Sequence, residues 1–262
     1  MDAPFSVTFL GTAAALFIPP ANTAALLVRV GTDRLLVDCG VGAVRQLRQA
    51  GSAVQALTAV LLTHWHPDHV AGLPNLLWHA AKERTGAPLR LYAPPAPRWA
   101  RWWLRVVVGG RPAVEHVLAR SRDTLSFEHV RVAAVHADHS IPALSWVLAE
   151  AGATQRRLVV SGDTRPTSAL ASAAHGADLL VHEATYLARH HSLATARQHT
   201  TALQAAQVAR AARVGMLALT HLGMGAPRDA VLAEARSVFE RVVVPRDLDR
   251  LDVGLLGGTR CG

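Results

Sequence analysis

The run Thr63-His64-Trp65-His66-Pro67-Asp68-His69 puts three imidazoles and a carboxylate within seven positions, directly behind the apolar stretch Ala56 to Leu62. That stretch reads as a buried strand, so four ligand-type side chains leave one strand end together. Neutral imidazole and carboxylate are the donors that borderline divalent cations prefer, and catalytic sites keep a coordination position open. One tetrahedral ion that keeps a position open cannot comfortably use all four donors. His64 and His66, two residues apart, can face one ion while Asp68 and His69 on the following turn face a second; paired catalytic ions lie about 3.5–4 Å apart. The spacing therefore predicts two metals. A surface loop that is His-rich by composition, in a chain with 14 histidines, does not explain why the donors gather where a strand stops. Asp68 stands near a helix start, and Val70, Leu73, Leu76 and Leu77 are spaced as one apolar face.

The chain has 262 residues, half of them hydrophobic, which is ample for a buried core without staples. Its two cysteines, Cys39 and Cys261, show no disulfide framework, so a cytoplasmic location is expected. Met1-Asp2-Ala3-Pro4 lacks a basic segment followed by an apolar one, and no apolar run reaches the roughly 18–20 residues that span a bilayer. The reading is a protein with no signal peptide and no membrane segment. A net charge of +8 suits an anionic partner. The charge is carried almost wholly by arginine in an Ala-rich chain, Lys82 being the single lysine, and a GC-rich genome produces that composition without any such partner.

Strand and helix patterns alternate with no Ser/Gly linker, charge run or internal sequence repeat, so residues 1–262 read as one domain. Phe5 to Leu10 opens as a strand, Ala24 to Val30 and Arg34 to Asp38 form a hairpin across Gly31-Thr32, and Val44 to Ala50 begins a helix. Leu89 to Ala93 is a further strand, Thr124 to Val135 a strand pair, and Leu144 to Leu148 with Leu158 to Ser161 a hairpin. After Pro166 come a helix (Thr167 to Ala174), a strand (Leu179 to His182), a helix (Thr200 to Arg213), a strand (Met216 to Thr220) and a helix (Asp229 to Glu240). Strands front-loaded in hairpins, with helices interspersed, predict an α/β fold of two sheets with helices outside.

A dinuclear site needs more donors, and strand ends nominate them. His139 follows the strand ending at Val135, Asp163 follows Leu158-Val159-Val160-Ser161-Gly162, and His221 follows Leu217-Ala218-Leu219-Thr220. His136 competes with His139 but reads as a residue inside the strand. Asp163 suits a bridge between ions, since a carboxylate has two oxygens, and Gly162 lets the backbone approach; its bland alternative is a turn residue in Gly-Asp-Thr. Glu183 ends its strand, and His199 stands before a helix. A carboxylate bonded to an imidazole fixes its tautomer and raises its basicity, as a proton donor to a leaving oxygen requires. Capping by Thr200 or Thr201 is the alternative at that junction.

Taken together these residues resemble the metallo-β-lactamase fold hydrolases, in the branch containing ribonuclease Z. Phe9-Leu10-Gly11-Thr12, Leu36-Val37-Asp38-Cys39-Gly40, His64-Trp65-His66-Pro67-Asp68-His69, His139-Ser140-Ile141-Pro142, Ser161-Gly162-Asp163-Thr164, His182-Glu183-Ala184-Thr185, Gln198-His199-Thr200-Thr201-Ala202 and Leu219-Thr220-His221 match its segments in order. The resemblance implies a four-layer αββα sandwich of two mixed sheets with helices on both outer faces. It implies one ion held by His64, His66, His139 and Asp163, and another held by Asp68, His69, His221 and Asp163. It further implies a hydroxide between the ions that attacks phosphorus in line, Asp68 as a catalytic carboxylate, and His199, oriented by Glu183, assisting the departing oxygen. Zn²⁺ is the expected metal, and Mn²⁺ or Fe²⁺ suit the same donors. The family often forms dimers, which makes a homodimer an expected assembly.

Two departures stand against a tRNA substrate. Ribonuclease Z carries a protruding arm between its third histidine and bridging aspartate, where this chain has only the hairpin from Leu144 to Val160. The Ser-x-Arg-Tyr pattern after the last histidine is replaced by Leu222-Gly223-Met224-Gly225. The segment Arg98-Trp99-Ala100-Arg101-Trp102-Trp103-Leu104-Arg105 interleaves cations with aromatics, as nucleic-acid surfaces do. Helical spacing favours an amphipathic helix that buries Trp99, Trp102 and Trp103. The resulting expectation is a di-zinc, ribonuclease Z-like phosphodiesterase or endonuclease acting on RNA or a smaller phosphodiester. The alternatives are a hydrolase of another ester (arylsulfatase-like, lactonase-like or cyclic-phosphate-cleaving) and a non-catalytic nucleic-acid-binding protein.

Overall fold

The computed structural model describes residues 4–15, 21–83, 87–107, 114–152 and 155–254, with the backbone alone for 103–107. The first sheet is built from β1 (Phe5–Gly11), β2 (Ala25–Val30), β3 (Asp33–Val37), β4 (Ala59–Leu61), β5 (Leu89–Ala93) and β6 (Val114–Leu118). The second contains β7 (Thr124–Ser126), β8 (Val130–Ala137), β9 (Ala143–Glu150), β10 (Arg157–Val160), β11 (Leu179–Glu183), β12 (Met216–Thr220) and β13 (Val242–Val243), after which β14 (Arg250–Asp252) returns to the first. Their orders are β14-β1-β2-β3-β4-β5-β6 and β13-β12-β11-β10-β9-β8-β7. In each sheet antiparallel pairing on one side gives way to parallel pairing on the other, the change falling after β3 in the first and after β10 in the second.

Alternation along the strands decides the layers. Val7, Phe9, Leu26, Val28, Leu35, Val37 and Leu61 of the first sheet share one buried cluster with Val132, Ala134, Trp146, Leu148, Val160 and Val181 of the second. The opposite face of the first sheet, with Leu27, Leu36 and Val60, packs on helices α1 (Ala43–Gln49) and α3 (Leu73–Glu83) and on Ala100 of α4 (Arg98–Val107). The outer face of the second, with Val159, Leu180 and Leu217, packs on α5 (Ser168–Ala173), α7 (Ala202–Ala211) and α8 (Arg228–Arg236). The result is the expected αββα sandwich. A short α2 (Pro67–Val70) precedes α3, and α6 (His191–Ala196) precedes α7.

Several sequence expectations change in detail. The helix starting near Asp68 is two helices, because Gly72 donates its N–H to Cys39 O at 2.8 Å, and a Cβ there would meet Gly40 O at 2.3 Å. β6, α6, β13 and β14 were not anticipated. β6 is an edge strand with two exposed polar residues among five, and only Ala194 of α6 is buried, so neither carries a clear apolar period. The helix over Arg98–Val107 forms, yet it buries Ala100 while Trp99 and Trp102 remain 49% and 65% exposed. Its Trp103 side chain, and Cys261, lie outside the described residues. Among those residues no helix is long and apolar enough to cross a membrane.

The sheets are pinned together directly under the His-rich run. Trp146 of β9 is fully buried and donates its indole N–H to Leu62 O at 3.2 Å, and Leu144 donates its backbone N–H to Thr63 O at 2.9 Å. Trp146→Ala is expected to lower unfolding free energy by about 3–5 kcal/mol through the cavity it leaves. A urea titration followed by circular dichroism reads that loss.

Candidate metal centre

Every nominated donor sits just beyond the carboxyl end of a strand. β4 leads through Leu62 and Thr63 into His64 and His66, and Pro67 starts α2 with fixed φ, which carries Asp68 and His69 on its single turn. β8 ends before His139, β10 before Asp163, β11 at Glu183 and β12 before His221. Strand ends on one edge of facing sheets are where open α/β folds gather ligands. Gly162 has φ +59°, and a Cβ on it would stand 2.9 Å from Thr63 Cβ, so both its left-handed backbone and its closeness to the His-rich loop require glycine.

The seven side chains converge in two groups whose donor atoms lie within 4.8 Å of one another: His64, His66, His139 and Asp163, and Asp68, His69, Asp163 and His221. In the first, His66 Nδ1 is 3.0 Å from both His64 Nε2 and His139 Nε2. In the second, His221 Nε2 is 3.2 Å from His69 Nε2 and 3.1 Å from Asp68 Oδ2. Asp163 Oδ2 is 3.7 Å from His64 Nε2, 3.4 Å from His69 Nε2 and 3.4 Å from His221 Nε2. Tetrahedral donors at zinc–nitrogen distances stand about 3.3 Å apart along each edge. The separations match that edge. One oxygen of Asp163, Oδ2, faces both groups, and Oδ1 is buried with no hydrogen-bond partner among the described residues.

The outer shell fixes which nitrogen of each ring points inward. Asp38 accepts from Thr63 N–H at 2.8 Å, from Thr63 Oγ1 at 2.9 Å and from His69 Nδ1 at 2.8 Å, which leaves the His69 Nε2 lone pair facing inward. Because Thr63 spends its hydroxyl proton on Asp38, its oxygen accepts from His64 Nδ1 at 3.0 Å. Thr185 likewise donates to Glu183 Oε2 at 2.6 Å and accepts from His221 Nδ1 at 2.9 Å. His139 donates from Nδ1 to Gln198 O at 3.0 Å, and the Gln198 amide donates to Asp138, which Arg165 holds at 2.9 and 3.0 Å. Such outer partners set tautomer and ring orientation. Four Nε2 lone pairs are thus aimed at two points rich in carboxylate, which fits a pair of divalent cations.

Protonation tendencies differ among the rings. Burial, reinforced by neighbouring imidazoles, lowers the pKa of His64, His66 and His139, so these rings are neutral as ligands must be. Burial opposes a charged His69, but Asp163 and Asp38 outweigh it and hold that ring well above the usual range. Burial would also raise Asp163, yet His221 and His69 hold it well below the ordinary carboxylate value. The carboxylates therefore call for positive charge between them.

His199 stands beside these groups. Its Nδ1 is 2.9 Å from Glu183 Oε1, and its ring stacks on His221 with centroids 5.7 Å apart. Glu183 is buried and also accepts from Thr164 N–H at 2.8 Å. Burial works against a charged His199, but Glu183 raises its pKa to about 9. Thr201 caps α7 reciprocally with Gln204, so the capping alternative holds at this junction while His199 still meets Glu183. His136 is an exposed strand residue. Asp38 was quoted as a family marker but given no role, although it satisfies the same strand-end test as the others. Thr63, Thr185 and the Gln198 carbonyl carry no comparable signal. Asp38, Gln198 and His221 adopt φ of +60°, +57° and +57°, a concentration of strained backbone that marks functional sites.

Residues 5–230 match the family model described as Anti-Pycsar protein Apyc1. Ribonuclease Z of Bradyrhizobium sp. (strain ORS 278) is 33% identical over 301 residues, covering 95% of this chain and all of its own. That alignment is longer than this chain, so the relative has residues this chain lacks. Among solved structures, the metallo-β-lactamase fold protein YhfI from Bacillus subtilis superposes with a TM-score of 0.85 at 22% identity, over 96% of this chain and 100% of its own. The short form of human tRNase Z gives 0.79 at 24% identity, over 95% and 100%. Both show the same fold.

Asp38→Ala, which frees the His69 and Thr63 rotors without removing a donor, is expected to weaken metal affinity about 10–100-fold. Competition with a chromogenic chelator measures it, with circular dichroism to verify that the fold is retained.

Proposed function

This chain belongs to the family described as Anti-Pycsar protein Apyc1, among the ribonuclease Z-related metallo-β-lactamase fold hydrolases, and we propose that it is a dinuclear phosphodiesterase of small phosphodiesters. The observation that carries the reading is His199, held from behind by Glu183, standing against the converged donor set in the wall of one cleft of about 740 Å³. His64, His66, His139 and Asp163 would hold one cation, and Asp68, His69, His221 and Asp163 the other. Zn²⁺ is the first choice for these donors, with Mn²⁺ and Fe²⁺ as substitutes. Bound there, two divalent ions supply Lewis acidity at phosphoryl oxygens and lower the pKa of water.

The chain's own residues supply the proton handling. Glu183 holds His199 through Nδ1, which leaves the Nε2 proton available to the cleft and the departing oxygen. Asp68, which belongs both to the donor set and to the cleft lining, would take the proton from the attacking water. A ribonuclease cuts phosphodiesters, so the full-length relationship supports that bond. The size of the substrate follows from what is absent: between His139 and Asp163 the described residues form only the β9–β10 hairpin. RNA is the second reading, favoured by Trp99 and Trp102 standing exposed beside Arg98 and Arg101 on α4.

Turnover of bis-p-nitrophenyl phosphate is expected, and it is expected to vanish on chelation and in Asp68→Ala. Slower turnover of that diester than of a sulfate ester or a lactone would move the assignment to another ester. His199→Ala should lower turnover about 10²–10⁴-fold while bound metal stays constant. Loss of metal in that variant would instead make His199 a ligand.

The pH profile gives an independent check. A donor imidazole acts while protonated, so activity holds below the His199 pKa and falls as pH rises through it. Glu183 is the charge that raises this pKa. Glu183→Gln is therefore expected to move the alkaline limb to lower pH.

A further inference from the structure

Among the described residues, His66 is the imidazole of the first donor group whose ring is not held from outside. His64 has Thr63 on its Nδ1 and His139 has the Gln198 carbonyl on its own, each at 3.0 Å. The Nδ1 of His66 faces inward, 3.0 Å from His64 Nε2 and from His139 Nε2, and its other nitrogen has no hydrogen bond among the described residues. Outer partners ordinarily fix the orientation of a ligating imidazole. For His66 the backbone has to do it.

That backbone is clamped on both sides. Pro67 follows with φ fixed by its ring and opens α2. Trp65 precedes, and its side chain lies in the buried cluster on the outer face of the first sheet, which also holds Leu62, Ala93 and Ala100, so that it is 3% exposed. Its indole N–H donates to Pro94 O, just past β5, at 2.9 Å. His116 of β6 and Trp99 of α4 meet the ring edge to face, with centroids 5.9 and 6.3 Å away and planes at 78° and 90°. Perpendicular rings at such separations attract, and a buried indole whose single donor is satisfied has one seat.

The other half of the His-rich run is fastened elsewhere. β4, which leads into it, lies between β3 and β5. On the β3 side His69 O accepts from Cys39 N–H and Cys39 O accepts from Gly72 N–H, both at 2.8 Å, while Asp38 holds the His69 ring. That fastening serves Asp68 and His69 and, through Thr63, His64. Trp65 fastens the run toward β5 and β6, and His66 is the donor that follows it directly.

We propose that Trp65 is a positioning residue for the first cation: seated by Pro94, His116 and Trp99, it fixes the backbone that aims His66, in place of a hydrogen bond to that ring. The inference rests on the two-ion reading of the donor set. It also gives the tryptophan- and arginine-rich helix a task, since Trp99, half exposed on α4, is one wall of the Trp65 seat.

The test measures Zn²⁺ affinity by chelator competition in two backgrounds. Asp68→Ala, His221→Ala keeps the first imidazole group whole, and His64→Ala, His139→Ala keeps the second. Adding Trp65→Ala is expected to weaken Zn²⁺ binding about 10–100-fold in the first background, the range typical of losing an outer support of a ligand. In the second background it should change nothing. Trp65→Phe, which keeps an aromatic ring in the seat, should recover most of the loss, and Trp99→Ala, at a half-exposed position, should repeat it more weakly. In otherwise wild-type protein, excess Zn²⁺ should restore the diester turnover of Trp65→Ala. Equal weakening in both backgrounds would reduce Trp65 to a packing residue, and undiminished affinity in the first would overturn the assignment while leaving the two ions in place. Backgrounds that bind no Zn²⁺ at all defeat the two-ion reading, and the positioning role falls with it.

Discussion

The centre is organised around one buried carboxylate oxygen. Asp163 Oδ2 lies between His64 on one side and His69 and His221 on the other, at the rim where the strands of two facing sheets end. An ionised carboxylate in such a place is costly unless cations or donors surround it. Everything nearby answers that need. The strand ends deliver imidazoles, Gly162 lets the chain turn tightly enough to bring Asp163 against Thr63, and Trp146 and Leu144 fasten the second sheet to the His-rich loop. The core beneath therefore does more than exclude water: it sets the separation of groups that arrive from both sheets.

A second layer makes the first specific. Asp38 and Glu183 each sit at the end of a strand; each holds one histidine directly, His69 and His199, and a second, His64 and His221, through a threonine. Because the threonine proton is committed to the carboxylate, the ring beyond it can only donate, and its other nitrogen is left bare. The two halves of the site solve the same problem in the same way, as their sheets share the same change from antiparallel to parallel pairing.

The sequence made the donors legible because their constraint is local: a histidine or aspartate where an apolar strand stops is visible in ten residues. His64 through His69 and Asp163 are such cases, and their strands fall within a few residues of the predicted bounds. What escaped depends on distant partners or on backbone. Gln198 contributes a carbonyl, which every residue has. β14 contains a single buried residue, Leu251, and forms because β1 offers it an edge. The break between α2 and α3 comes from the closeness of Gly72 to Gly40, thirty-two positions away in sequence. On α4, helical spacing described the backbone correctly but could not say that the sheet beneath accepts Ala100 rather than Trp99 or Trp102.

The return of β14 to the opening strand bears on how the polypeptide reaches this state. Ser6 pairs with Asp252, and Asp247 accepts from Thr12 and Asn22 at 2.8 and 2.7 Å, so the first sheet is completed by residues made more than two hundred positions later. Contacts so distant in sequence lose loop entropy before they return any enthalpy, which slows folding. As the nascent protein emerges, the edge of β1 stays open until the second sheet has been synthesised. That interval is when a stray strand from another molecule competes for the same hydrogen bonds.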